Sequence, residues 1–212
     1  MATMKTKEIE ISVPEIQIET ARMRIVGKSP LVVHAFSEKA KRQILEKQMK
    51  TAKTKGKDIK NPVADFMDSL YWLTPKPEES TKEAFEKALA NGARFGFPSV
   101  ALKAAAISAA YRAGVTKNKV SLQGAFHIMG EMLEIQGVPR MREDAVRLPM
   151  GVADLRYRAE FPEWAMDFEI EYNPAVCSLE QIASFIRLGG FGCGLGENRP
   201  ERGGQWGRFD VG

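Results

Sequence analysis

The stretch Leu155-Arg-Tyr-Arg-Ala-Glu-Phe-Pro-Glu-Trp-Ala-Met-Asp-Phe-Glu-Ile-Glu-Tyr172 alternates apolar and charged side chains on both sides of a Pro-Glu-Trp interruption. Leu155, Tyr157, Ala159 and Phe161 alternate with Arg156, Arg158 and Glu160, and Met166, Phe168, Ile170 and Tyr172 alternate with Asp167, Glu169 and Glu171. A period of two lays one set on the core face of a strand and the other on its polar face. The two runs read as a hairpin turning at Pro162-Glu163-Trp164. Near the N-terminus, Glu8-Ile-Glu-Ile-Ser-Val13 and Ala21-Arg-Met-Arg-Ile-Val26 show the same period, and the second run exposes Arg22 and Arg24 on one face. Gly27-Lys-Ser-Pro30 breaks that strand, and the apolar piece Leu31–Val33 leads to His34.

Helical signals fill the space between these strands. Ser37 is placed to cap a basic helix from about Glu38 to Lys53, and a shorter helix is expected from Val63 to Leu73. Ser80 and Glu83 have capping-box spacing, opening a helix that stops at Asn91-Gly92. Ser99 is placed to cap a further helix, in which Leu102, Ala105, Ala106, Ala109 and Ala110 form a stripe of small residues that admits another backbone closely, and Gly114 closes it. Residues 117–150 read as strands or extended loops between Gly124, Gly130, Gly137 and Pro139. Ser178 and Gln181 form a second capping box, opening a helix through Leu188 that ends in Gly189-Gly190, and a last strand is expected from Gln205 to Val211. Strands, then helices, then strands indicate an α+β fold, with residues 1–212 as a single domain.

Composition narrows the function classes. The hydrophobic fraction of 44% and charged fraction of 27% are those of an ordinary water-soluble chain. No apolar run approaches the ~20 residues of a membrane span, so no membrane association is expected. The N-terminus lacks the apolar core of a secretory signal. Cys177 and Cys193 are the only cysteines and have no zinc-ligand companions at the right spacing. These features point to a cytoplasmic protein with no metal and no cofactor. The net charge is +4, but it is concentrated: between Lys39 and Lys60 stand nine basic residues, including Lys39, Lys41, Arg42 and Lys47, against Glu46 and Asp58. Such a run is either a solvated face or part of an electrostatic footprint for phosphates.

The densest chemical signal is Gly189-Gly-Phe-Gly-Cys-Gly-Leu-Gly-Glu-Asn-Arg-Pro-Glu-Arg-Gly-Gly-Gln-Trp-Gly-Arg208, because nine of the 18 glycines lie between residues 189 and 212. Glycines expose N–H groups and reach positive φ, so successive donors can converge on an anion, while Arg199, Arg202 and Arg208 offer bidentate phosphate contacts. The competing reading is a tightly folded turn region whose arginines pair with Glu197 and Glu201. No Gly-Lys-Ser/Thr follows, and the loop precedes a strand where a dinucleotide fingerprint precedes a helix, so nucleotide-cofactor binding is disfavoured. A second signal is Phe97-Pro98-Ser99 at a helix start, with Lys103 one turn in, where free N–H groups form an anion site. Its alternative is an ordinary capped core helix. Tyr157, Phe191 and Trp206 are candidates to stack on bases, Trp206 being equally readable as a core anchor.

Three segments resemble the RAMP (repeat-associated mysterious protein) superfamily, which contains RNA-binding backbone subunits and processing nucleases of CRISPR systems. Arg24-Ile-Val-Gly-Lys-Ser-Pro-Leu-Val-Val-His34 is similar to that family's first strand running into its Ser/Thr-Pro-Leu turn. Gly96-Phe-Pro-Ser-Val-Ala-Leu-Lys-Ala-Ala-Ala106 resembles the helix start of the backbone subunits, matching at Pro98, Leu102 and Lys103. The C-terminal loop resembles the glycine-rich loop before the family's final strand. Order and spacing of the three agree. Two features depart from the pattern: Ser99 directly follows Pro98, and the final loop carries an added Glu-Asn-Arg-Pro-Glu-Arg. They fit a divergent phage or mobile-element relative as well as a CRISPR subunit.

The resemblance implies a modified ferredoxin-like, RRM-related core with an inserted, largely helical lobe at about residues 40–95. It implies sequence-independent binding of single-stranded nucleic acid, RNA before DNA, along its phosphates, by copies stacked side by side as a homo-oligomer or filament. Other subunits of a ribonucleoprotein complex are then possible partners. On this reading the nucleic-acid-binding residues are Lys28, His34, Lys39, Lys41, Arg42, Lys47, Ser99, Lys103, Arg199, Arg202 and Arg208. His34 is also the candidate base or acid of the alternative, a metal-independent endoribonuclease, because family nucleases place a histidine near the first helix. His127 reads as a core side chain. Residues 27–36 contain no aspartate of the kind target-cleaving subunits use. A further alternative is a non-enzymatic interaction protein that binds or mimics a defence-complex subunit.

Overall fold

The computed structural model describes residues 15–36, 38–49, 60–147 and 153–212. The expected strand at 8–13, the cap at Ser37 and the basic residues from Lys50 to Lys57 lie outside the described residues. Strand β1 (Glu19–Gly27) forms where the 21–26 alternation indicates, with Arg22 and Arg24 exposed and Ile25 fully buried. It is the second strand of a four-stranded antiparallel sheet in the order β10-β1-β9-β5, where β5 is Phe126–Ile128, β9 Ala165–Tyr172 and β10 Phe209–Val211. Ile25 faces Met166, Met23 faces Phe168 and Ala21 faces Ile170 on the buried side. On the other side Arg24 pairs with Asp167 at 2.8 Å and Arg22 with Glu169 at 3.9 Å.

The buried face carries two helices, α4 (Ser99–Arg112) and α6 (Leu179–Gly192). Ser178 and Gln181 form the capping box of α6 as expected. The helix does not end at Gly189-Gly190, however, but runs through both. A Cβ on Gly189 would lie 2.9 Å from the Ala106 nitrogen, and one on Gly190 would overlap the Phe209 carbonyl. The two glycines therefore sit where α6 meets the alanine stripe of α4 on one side and β10 on the other. Their absent side chains serve close packing, which outweighs their low helix propensity.

The largest departure from the sequence reading is at Pro162–Trp164, which is a corner and not a hairpin turn. Strand β8 (Ala153–Phe161) pairs along its length with β7 (Arg140–Arg147) and with β2 (Leu31–Val33), in a separate three-stranded sheet ordered β2-β8-β7, while β9 pairs with β1. The segments β1-β2 and β8-β9 are thus two bent ribbons that change sheets together. Val26 faces Ala165 and Leu31 faces Phe161, so four residues on one ribbon oppose three on the other, a one-residue bulge that bends the pair. Trp164 locks the corner: its indole N–H donates to the Ser29 carbonyl, and its own carbonyl accepts from the Gly27 N–H, both at 2.8 Å. A Cβ at Gly27 would overlap the indole.

A third sheet, β3-β4-β6 (Tyr71–Trp72, Phe95–Pro98 and Met132–Glu134), lies with helices α2 (Pro62–Ser69) and α3 (Lys82–Ala90). Phe66, Phe85, Trp72, Phe95 and Phe161 form a chain of edge-to-face ring contacts linking it to the second sheet. Helix α1 (Glu38–Gln48) and the short α5 (Lys119–Gln123) complete the α+β architecture. One cap assignment changes, and a cap not expected from the sequence is found. Helix α3 is capped by Thr81, not Ser80, and α2 is capped by Asn61, whose carboxamide accepts from the N–H groups of Val63 and Ala64. No helix among the described residues is long and apolar enough to cross a membrane.

Candidate nucleic-acid interface

The structure sorts the residues singled out from the sequence into separate places, and the glycine-rich loop decides the sorting. Gly194, Gly196, Gly203 and Gly207 do adopt positive φ, as does Asn198 at 48°. Their purpose is a self-contained turn system. The Glu197 N–H donates to the Val32 carbonyl, Gly207 to Pro30, Leu195 to Gly207, Trp206 to Asn198 and Gly204 to Arg199. These donors are satisfied within the chain, clasping the loop onto the β1–β2 segment, so they do not converge on an open anion site. Residues 205–208 are not strand as expected. They bind the Gly27–Pro30 turn through Ser29 Oγ, which donates to the Gln205 carbonyl and accepts from the Arg208 N–H, leaving β10 only three residues long.

Arg199 follows the turn-region reading. Its Nε and Nη2 donate to Glu201 at 3.1 and 2.9 Å and its Nη1 to the Gly196 carbonyl at 3.1 Å. Arg112 reaches the same carboxylate at 2.7 Å. Burial works against the Glu201 charge, but the Arg199 hydrogen bond and the two guanidinium charges outweigh it and hold its pKa below the usual carboxylate value. Trp206 has the Arg142 guanidinium stacked 4.0 Å from its ring centre, so one face is already occupied. Arg202 is exposed at the rim of the cleft between this loop and β7-β8, which Arg158, Arg199, Asn198 and Trp206 also line. Tyr157 lies on β8, and Glu143 accepts its hydroxyl hydrogen bond and, with burial, raises its pKa.

A different set gathers in a groove that includes Lys28 of the β1–β2 turn. Phe191, in the last turn of α6, is 73% exposed, although an aromatic ring is among the costliest side chains to leave in water. The Arg208 guanidinium lies 5.8 Å from its ring centre. Lys28, Arg187, Leu188 and Ser184 line the same groove, of about 720 Å³. Arg187 is held by Asp210 at 2.9 Å. Three residues chosen from the sequence, Lys28, Phe191 and Arg208, thus meet in one place. Arg187 was missed because it lies in the middle of an amphipathic helix, and nothing local says which turn of that helix faces the β10 edge.

His34 occupies a third position, just beyond β2, where it lines two cavities. One holds Lys60, Arg156 and Arg158; the other holds Tyr71, Phe97 and the alanine face of α4. Its Nδ1 is 3.9 Å from Glu197, and its carbonyl accepts from the Tyr71 hydroxyl at 3.5 Å. Partial burial and the Arg158 charge depress the imidazole pKa below its ordinary value, with Glu197 opposing them. The shift favours the neutral imidazole, the state a general base requires.

The helix-start site is corrected. Pro98, not Ser99, is the N-cap of α4, and no side chain caps it. Ser99 is buried; its hydroxyl donates to the Gly130 carbonyl at 2.6 Å and its N–H to the Glu131 carbonyl at 3.0 Å. Strand β6 pairs with β4 at Pro98 and so draws the serine into the sheet edge. Lys103 turns away to the α5 end, donating to the Gln123 carbonyl at 2.7 Å beside His127 and the Phe126 ring, and burial lowers its pKa. On α1, Lys41 and Arg42 are exposed and Arg42 lies 3.9 Å from Glu46; the side chains of Lys39 and Lys47 lie outside the described residues.

Comparison with known proteins adds little to this geometry. No family model matches the chain, and no curated protein matches it. Among solved structures it is similar to the crystal structure of Cmr6 from Pyrococcus furiosus, at 12% identity and a TM-score of 0.36, over 92% of this chain and 99% of that one.

Proposed function

We propose that the chain binds single-stranded nucleic acid, RNA in preference to DNA, along its phosphate backbone and without sequence preference, through the groove at Phe191. The observation that carries this reading is the exposed Phe191 ring with Arg208, Lys28 and Arg187 around it. A solvent-facing ring among cations suits a base stacked on its face with flanking phosphates neutralised, a sequence-tolerant mode because every base has a π-face. The preference for RNA and the side-by-side assembly rest on the resemblance to the RAMP superfamily. The strand order β10-β1-β9-β5, with α4 between β1 and β5 and α6 between β9 and β10, supports a ferredoxin-like core in a single domain. The helices and strands β3 and β4 between β2 and α4 then form the inserted lobe at about 40–95, and β6, from beyond α4, completes its small sheet.

Fluorescence anisotropy with a labelled single-stranded oligonucleotide, titrated against salt, tests the reading. Each phosphate contact on a single strand contributes about 0.7 to the slope of log K against log salt, so Lys28→Ala and Arg208→Ala should each flatten it by about that amount. Phe191→Ala should cost about 1–3 kcal/mol of binding, the usual worth of one stacked base, with the slope unchanged. If RNA and DNA both fail to bind at low salt, or all three variants bind like the parent chain, the groove is not the site.

One observation favours a second reading, metal-independent RNA cleavage: the imidazole of His34, its pKa depressed by burial and by the Arg158 charge, lines two cavities, one of which also holds Arg158 and Arg156. Cleavage in the presence of a chelator that disappears in His34→Ala would establish it, and cleavage unchanged in that variant would remove His34.

A further inference from the structure

The charged face of the second sheet holds more positive charge than the chain neutralises, and the surplus is buried. Across β7 and β8, Arg142 stands directly opposite Arg158, two like charges in register. Arg142 takes both available carboxylates, donating to Asp144 Oδ1 at 2.9 Å and to Glu160 Oε1 at 2.7 Å, and Arg140 takes the second oxygen of Glu160 at 2.7 Å. Arg158 is left with Asp144 Oδ2 at 3.7 Å, beyond hydrogen-bond reach, and its Nε and that oxygen both lack a partner. The Arg158 side chain is only 9% exposed. A guanidinium more than nine-tenths buried, with no hydrogen bond to its donors among the described residues, is an arrangement a folded chain ordinarily avoids.

What Arg158 lacks is an acceptor, and a cavity lies against it. The cavity, of about 250 Å³, is lined by His34, Lys60, Arg156 and Arg158 on its cationic side. Lys60 and Arg156 share one carboxylate, Asp154, at 2.8 and 3.8 Å, which adds a second surplus charge. Of the other carboxylates in the wall, Asp68 is held by Lys76, and Asp65 alone offsets part of the excess. We propose that Arg158 anchors an oxyanion site of the phosphate class, with Lys60 and Arg156 as the flanking cations and His34 at its rim. A phosphate in this cavity would supply the acceptors that the Arg158 guanidinium lacks and would neutralise excess charge, and a planar guanidinium is the group best suited to hold it. This site lies apart from the Phe191 groove and does not depend on it.

The test is thermal unfolding of the full chain with inorganic phosphate, against chloride at equal ionic strength. Phosphate raises the melting temperature and the rise saturates; it vanishes in Arg158→Gln and needs at least about tenfold more phosphate in Arg156→Gln. A rise no larger than with chloride, or an equal rise in Arg158→Gln, overturns the site. If Arg158→Gln does not fold, Arg156→Gln decides, and an unchanged phosphate requirement in that variant overturns the proposal. Competition with a 5′-phosphorylated and a 5′-hydroxyl oligonucleotide of one sequence then identifies the source. Stronger displacement by the phosphorylated strand assigns the site to a strand end, and equal displacement to an internal phosphodiester. Displacement by neither, with phosphate still bound, assigns it to a small phosphorylated molecule. Anisotropy reads the groove separately, so either binding can fail alone.

Discussion

Gly190 and His34 show how much a single position carries in this chain. A methyl group at Gly190 has nowhere to go except into the Phe209 carbonyl, whereas one at Gly189 meets the α4 backbone at 2.9 Å. Gly190→Ala should therefore destabilise by at least about 1–3 kcal/mol, the usual cost of overpacking, and by more than Gly189→Ala. Denaturant midpoints of the two variants check the order. For His34 the sign of the pH effect follows from its depressed pKa: as pH falls, the unfolded chain takes up the proton first. The stability contributed by the neutral imidazole is present above its unfolded value of 6.5 and is lost as pH falls from there through the folded pKa. NMR titration should find the imidazole below 6.5 in the folded chain, moved up in Arg158→Gln and further down in Glu197→Gln, because Arg158 lowers it and Glu197 raises it. An unmoved pKa in both variants would remove those charges as its cause.

Helix caps and strand ends show where local rules hold and where neighbours overrule them. At α3 the hydroxyl that accepts the Ala84 N–H belongs to Thr81, so Thr81→Ala should cost about 1 kcal/mol and Ser80→Ala much less. Chemical denaturation distinguishes the two, and equal losses would return the cap to Ser80. Ser80 and Glu83 match the capping-box spacing as well in the sequence as Ser178 and Gln181 do. Only the second pair forms the box, because a one-residue difference in where the chain turns into the helix is invisible to spacing. Ser99 failed as a cap for a different reason. Its hydroxyl is drawn to the Gly130 carbonyl by the pairing of β4 with β6, a contact between residues far apart in the chain.

Across the molecule, the glycine-rich loop acts as a clasp over the charged face of β7 and β8. Beneath it, Glu160 is 3% exposed in its side chain and holds both Arg140 and Arg142. Glu160→Ala leaves Arg142 with Asp144 as its one carboxylate, beside Arg158, and breaking a buried pair of this kind costs about 3–5 kcal/mol. A melting temperature unchanged in that variant would show that the face is solvated instead. The alternation of β1 and β9, the existence of strand β8, the capping box of α6 and the small-residue stripe of α4 were all legible in the sequence, because each is a pattern within one segment whose physics is local; in β8 the expected faces do not hold, since Leu155 is exposed and Arg158 and Glu160 are buried. The clustering of Lys28, Phe191 and Arg208 was legible only as residue types, since neither their meeting place nor Arg187 beside them follows from spacing. The sheet to which each strand belongs, the corner at Pro162–Trp164, the closure of the loop's backbone donors on β2 and the unsatisfied Arg158 are of another kind. They depend on which partners compete for the same edge, carboxylate or carbonyl once the chain is packed, and that competition is between residues that the sequence keeps far apart.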